Sequence, residues 1–134
     1  MDSAAPIDGS ALIWNETGAT WTASTTAFAP KYPVVNAQTD TTYIAVLGDD
    51  QKFITCDNAD PVTFTVPAEA DVAFPIGASM TVYQVGAGRV TFAGDTGVTV
   101  ETRGGAYSIS AQYGVATLFK RAADTWALMG DLSV

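Results

Sequence analysis

The sequence predicts an all-β domain, a small antiparallel β-sandwich or β-roll preceded by an N-terminal β-hairpin arm. Three observations carry this prediction. Valine and threonine recur in short alternating runs, and branched side chains fit a pleated surface better than a helix. Turn signals fall roughly every ten residues, the cadence of short strands in a sandwich or roll. No window sustains helical periodicity. Hydrophobic residues make up 48% of 134 positions and charged residues 15%, a balance that folds rather than stays disordered.

The elements follow in order. Residues 1–9 are small and polar and read as a leader. Ser10-Ala-Leu-Ile-Trp14 and Ala19-Thr-Trp-Thr-Ala23 then flank Asn15-Glu-Thr-Gly18, which is a hairpin signal. This segment is too short to bury two tryptophans by itself, so Trp14 and Trp21 require an apolar neighbour elsewhere. Residues 24–33 contain Pro30 and Pro33 and read as a stiffened linker. The expected organisation is therefore an arm and linker over 1–33 and a sandwich over 34–134.

Strands are expected at 42–47, 52–55, 62–66, 79–85, 89–92, 97–101, 115–121 and 125–129. Alternation is cleanest where Val62, Phe64 and Val66 oppose Thr63 and Thr65, and where Val98 and Val100 oppose Thr99 and Glu101. Turns are expected at 48–50, 57–61, 86–88, 94–97 and 104–105, all rich in Gly, Asp or Asn. Residues 67–74 and 108–113 each have room for one helical turn. No solenoid-type repeat stands out.

Charge and composition exclude several functions. Six Lys and Arg against 14 Asp and Glu give a formal net charge of −8, and the cations are scattered. Neither a nucleic acid nor an acidic membrane face is an expected partner. No run approaches the roughly 18 apolar residues of a membrane span. The N-terminus, Met1-Asp2-Ser3, lacks the basic region and apolar run of a secretory leader.

The chain has no histidine and one cysteine, Cys56, which removes the usual zinc and copper sites and the usual general base of Ser or Cys catalysis. Cys56 reads as a small buried hydrophobe. Carboxylates are plentiful enough for glycoside hydrolysis, but nearly all sit in turns or at strand ends where they stay ionised, and no pair stands out. The Asp57-Asn-Ala-Asp60 cluster has calcium-type oxygens but no EF-hand pattern, and an Asx turn explains it better. Gly86-Ala-Gly88 precedes a strand-like run, not a helix, and reads as a tight turn rather than a dinucleotide loop. No catalytic residue, metal site or cofactor is expected. Tyr83, Tyr107 and Tyr113 are candidates for stacking on a saccharide.

The segments Pro61-Val-Thr-Phe-Thr-Val-Pro67, Phe74-Pro-Ile-Gly-Ala-Ser-Met-Thr-Val-Tyr-Gln-Val-Gly-Ala-Gly-Arg-Val-Thr-Phe92 and Gly97-Val-Thr-Val100, with the ending Asp124-Thr-Trp-Ala-Leu-Met-Gly-Asp-Leu132, form a pattern. It resembles the β-rich modules that end many tailed-bacteriophage virion proteins, such as tail fibres, head fibres and appendages. The likeness covers most of residues 10–134. It implies homotrimeric assembly and no catalytic residue to carry over. A module beginning at Met1 favours a small accessory subunit over a long fibre. The expectation is a non-enzymatic capsid decoration protein or head fibre on the virion surface, made in the host cytoplasm. Its partners would be its own copies and the major capsid or another virion protein, with Leu12, Trp14, Trp21 and Phe28 as anchoring contacts. The alternative is a receptor- or carbohydrate-binding domain of a tail fibre or appendage.

Overall fold

A computed structural model describes residues 32–134 and, before them, only the backbone of two strands. Those strands, β1 (Leu12–Asn15) and β2 (Thr20–Ala23), pair antiparallel with Trp14 opposite Trp21. The chain divides into two compact units, Met1–Tyr32 and Pro33–Val134.

The second unit is an all-β sandwich. Its strands are β3 (Val35–Gln38), β4 (Thr42–Ile44), β5 (Phe53–Cys56), β6 (Val62–Val66), β7 (Ser79–Gln84) and β8 (Val90–Gly94), followed by β9 (Thr99–Glu101), β10 (Ser108–Ile109), β11 (Val115–Ala122), β12 (Thr125–Gly130) and β13 (Leu132–Ser133). One sheet has the order β3-β5-β7-β11-β12-β9 and the other β13-β10-β8-β6-β4. Up to β11 the chain crosses to the opposite sheet after every strand.

That alternation changes the expected strand directions. The sheets are mixed rather than antiparallel: β3, β5 and β7 run parallel, as do β4, β6 and β8. A chain that visits the other sheet between two strands returns to the first sheet heading the same way. The short turns therefore join strands of different sheets instead of neighbours in one. Antiparallel pairing enters with β10, which joins β8 to β13, and continues with β11, which docks on β7 and forms a hairpin with β12. Three strand pairs, β3/β4, β5/β6 and β7/β8, thus stack in succession.

Corners of successive pairs stack as well. Asn58 donates to the Thr39 carbonyl at 2.8 Å, and the Gly88 amide donates to the Asn58 carbonyl at 2.8 Å. A Cβ on Gly86 would lie 2.2 Å from the Asn58 carbonyl oxygen, and one on Gly88 1.8 Å from that of Asp60. Glycine is required at both positions by this close approach. Asn58 also accepts the Asp60 amide at 2.8 Å, the Asx turn expected there.

The core fills from alternate positions. Ile54, Val62, Phe64, Val66, Val82 and Phe92 are all buried. Tyr43, Phe64 and Phe92 occupy one register row, with successive ring centroids 5.5 Å apart. Trp126 meets Phe74 edge-on at 5.3 Å. Burying each such ring stabilises the fold by about 1.5–3 kcal/mol. Lys120 is buried too; its ammonium donates to the Phe74 carbonyl at 2.6 Å and to Glu69 at 3.1 Å.

Two of three local expectations change. The strand expected at 42–47 ends at Ile44, and residues 45–47 lead into a 3-10 turn at Leu47–Asp49, because the Asp49 carboxylate turns inward and accepts the Val46 amide at 3.0 Å. Residues 67–74 do hold one helical turn, closed by the Val72 amide on the Ala68 carbonyl at 3.0 Å. Residues 108–113 instead begin with β10, which bridges β8 and β13.

Candidate interaction surface

The first strand pair is built differently from the two that follow. Inward positions of β5 and β7 carry Ile54 and Val82, whereas their register partner in β3 is Asn36. Asn36 donates to Asp49 at 2.8 Å and to the Tyr43 hydroxyl at 3.0 Å, and Gln38 donates to Asn36 at 2.7 Å. The Tyr43 hydroxyl donates to Asp49 at 2.6 Å. Asp49 is 0% exposed, with Lys52 at 4.0 Å as its nearest cation. Burial, reinforced by the Asp49 hydrogen bond, pushes the Tyr43 phenol up to about 12. A polar network therefore closes this end of the core.

The outward sides of the same pair are apolar. Val35, on the outer face of the six-stranded sheet, is 61% exposed and Ile44, on the outer face of the five-stranded sheet, 59%; Val34, Val46 and Leu47, near them in sequence, are exposed as well. Strands β3 and β4 are also the outermost strands of their sheets at this end. Among the described residues no further strand pairs with either, and such an edge is the template on which another strand can add. Exposed apolar side chains thus lie on or next to two such strands.

The outer faces of the two sheets differ. Across the five-stranded sheet, Thr42, Thr63, Thr91, Ser108 and Ser133 occupy one continuous register row of hydroxyls. Across the six-stranded sheet the corresponding row is Val35, Phe53, Thr81, Thr117 and Met129. Aromatic rings gather on this second face. Phe53 and Tyr83 lie with centroids 5.7 Å apart and planes 33° apart, and Tyr83 and Tyr113 at 6.4 Å and 32°.

Tyr113 has φ +68, a left-handed conformation that costs a bulky side chain free energy. It is held there by its amide, which donates to the Gln84 carbonyl at 2.7 Å. Gln84 is itself buried and locked, its side chain bridging the Gly86 carbonyl and the Val90 amide. The ring of Tyr113 is consequently fixed outward, 63% exposed.

Of the saccharide candidates, the fold brings Tyr83 and Tyr113 together and leaves Tyr107 apart, its hydroxyl on the Val100 carbonyl at 3.3 Å. Phe53 belongs to the same strip and was not singled out by the sequence; its only signal is period-two alternation with the buried Ile54. Among the proposed anchors, the backbones of Leu12, Trp14 and Trp21 lie in the β1–β2 pair, while their side chains and all of Phe28 lie outside the described residues. Cys56 is buried, and burial pushes its thiol up to about 11, away from the thiolate a nucleophile needs. Among the described residues no group of three or more Cys, Asp or Glu is placed to hold a metal ion. The chain matches no protein-family model and no curated protein.

Proposed function

We propose that this chain is a non-enzymatic structural protein of a tailed-bacteriophage virion, a homotrimer that decorates the capsid or forms a head fibre. Residues 1–33 anchor it to the major capsid protein or another virion protein, and the sandwich projects outward. The observation that carries this reading is the first strand pair, where exposed Val35, Ile44, Val46 and Leu47 lie on or next to strands that are, among the described residues, the edges of their sheets. Closed rotational symmetry is the common way to cover such edges without open-ended growth. A chain of formal charge −8 also resists indiscriminate association, so copies meet where apolar surface outweighs repulsion. A second reading, a receptor- or carbohydrate-binding domain of a tail appendage, draws on the Phe53–Tyr83–Tyr113 strip.

Light scattering on the full chain tests the assembly. Three copies are expected, and Val35→Lys combined with Ile44→Lys should give monomers that stay folded but melt lower than the assembled wild type, which association stabilises. A wild-type chain that is monomeric at all concentrations defeats the trimer. Virion placement is tested by deleting residues 1–33, which should abolish incorporation into particles while the sandwich stays folded. Particles carrying the truncated chain at full occupancy would overturn the anchoring role.

A further inference from the structure

Resting on the second, carbohydrate-binding reading above, we infer that the aromatic strip Phe53–Tyr83–Tyr113 is a binding platform for a neutral oligosaccharide chain. The rings form a continuous, shallowly tilted surface, with interplanar angles of 33° and 32°. A flat array of this kind suits the C–H faces of sugar rings, which stack on aromatic π-systems. Hydroxyl groups border it at fixed register: Thr55 opposite Tyr83, and Thr81 between Phe53 and Thr117. At the Phe53 end the strip runs into a hollow of about 140 Å³ lined by Pro33, Gln51, Lys52, Phe53, Ser79 and Thr81. There the Gln51 amide and the Ser79 hydroxyl bond each other at 3.1 Å, an amide and a hydroxyl ready to exchange partners with sugar hydroxyls. Stacking surface and polar rim together match a ligand that is apolar on its ring faces and polar at its edges.

Charge narrows the ligand. The three rings and their threonine neighbours are uncharged in a chain of net −8; Lys52, which lines the hollow, lies 4.0 Å from the Asp49 carboxylate, and the Glu101–Arg121 pair on this sheet neutralises itself. An anionic polymer would meet an unfavourable field, whereas a neutral chain meets none. Tyr113 adds an independent argument. Glycine would occupy φ +68 without strain, yet a tyrosine is held there with its ring in solvent. Strain retained by a side chain that contributes little to the core points to a role outside the fold.

The test titrates the full-length chain with six-residue β-glucan, α-glucan and chitin oligosaccharides, followed by calorimetry and by aromatic NMR signals. At least one should bind with a Kd in the range of roughly micromolar to millimolar. Tyr113→Gly removes the ring while keeping the backbone shape, and should lower affinity at least about tenfold with an unchanged or raised melting temperature. Tyr83→Ala should weaken binding similarly, and Tyr107→Ala should leave it intact. Three results would overturn the assignment: no binding of any of the three at roughly 10 mM, binding unaffected by Tyr113→Gly, or a change in assembly mass on Tyr113→Gly. The last would make the strip a contact between copies.

Discussion

The first strand pair and the two stacked behind it share a backbone plan and invert its chemistry. In β5 and β7 the inward residues are Ile54 and Val82, and the outward partners of Val35 are Phe53 and Thr81. In β3 the inward residue is Asn36 and the outward one Val35, 61% exposed. Ile44, Thr65 and Ala93 repeat the contrast on the other sheet. A pair with neighbours on both sides can hold an apolar interior by packing alone. The terminal pair has a neighbour on one side, so water reaches its inner edge and apolar residues there would stay half wet. A hydrogen-bonded network tolerates that position, and Asp49 supplies its hub. The difference shows that this end is closed by hydrogen bonds on its inner side and leaves Val35 and Ile44 exposed on its outer sides.

Substitutions can break the contrast at each level. The largest effect should come from Phe64→Ala, in the middle of the aromatic row and 0% exposed, at about 3–5 kcal/mol by chemical denaturation. Asp49→Ala should cost about 2–3 kcal/mol, because it strands the Asn36 amide, the Tyr43 hydroxyl and the Val46 amide together. A loss below about 0.5 kcal/mol, the scale of an ordinary surface change, would mean that the network does not seal the core. Gly88→Ala should cost about 1–3 kcal/mol, since its Cβ must displace the corner at Asp60, and hydrogen exchange should rise first at residues 57–61 and 86–89.

The sequence carries much of this fold and less of its surfaces. Val62-Thr-Phe-Thr-Val66 shows which residues alternate, and the structure buries the apolar set as expected. Val35-Asn-Ala-Gln38 alternates as cleanly, but its polar set turns inward. Period-two patterning defines two faces without stating which one meets the core when the strand lies at an end. The sequence hides the stacked pairs for a related reason: 18 residues separate Val35 from Phe53 and 28 separate Phe53 from Thr81, so no fixed period appears. The short Gly- and Asp-rich turns predict strand ends correctly, yet not that the chain would change sheets at each one. The aromatic strip is invisible for a third reason, because Phe53, Tyr83 and Tyr113 lie far apart in sequence and meet only through β5–β7 pairing and the strained turn before β11.

A pH profile separates the terminal pair from its neighbour by a smaller effect, absent at neutral pH. Tyr43 on β4 has its phenol pushed from 10.0 to about 12, and Cys56 on β5 its thiol from 9.0 to about 11. Both groups are neutral when protonated, and the unfolded chain releases these protons at lower pH than the fold does. Stability from each is therefore complete below its unfolded value and declines as pH rises toward the folded one. The cysteine contribution is lost between about pH 9 and 11, and the tyrosine contribution between about 10 and 12. Tyr43→Phe should flatten the upper part of the profile and Cys56→Ala the lower part, measured as melting temperature against pH. A Tyr43→Phe curve parallel to wild type through pH 12 would show that the phenol ionises as readily in the fold as in the unfolded chain. The network around Asp49 would then be open to water, and the terminal pair would be sealed by its backbone alone.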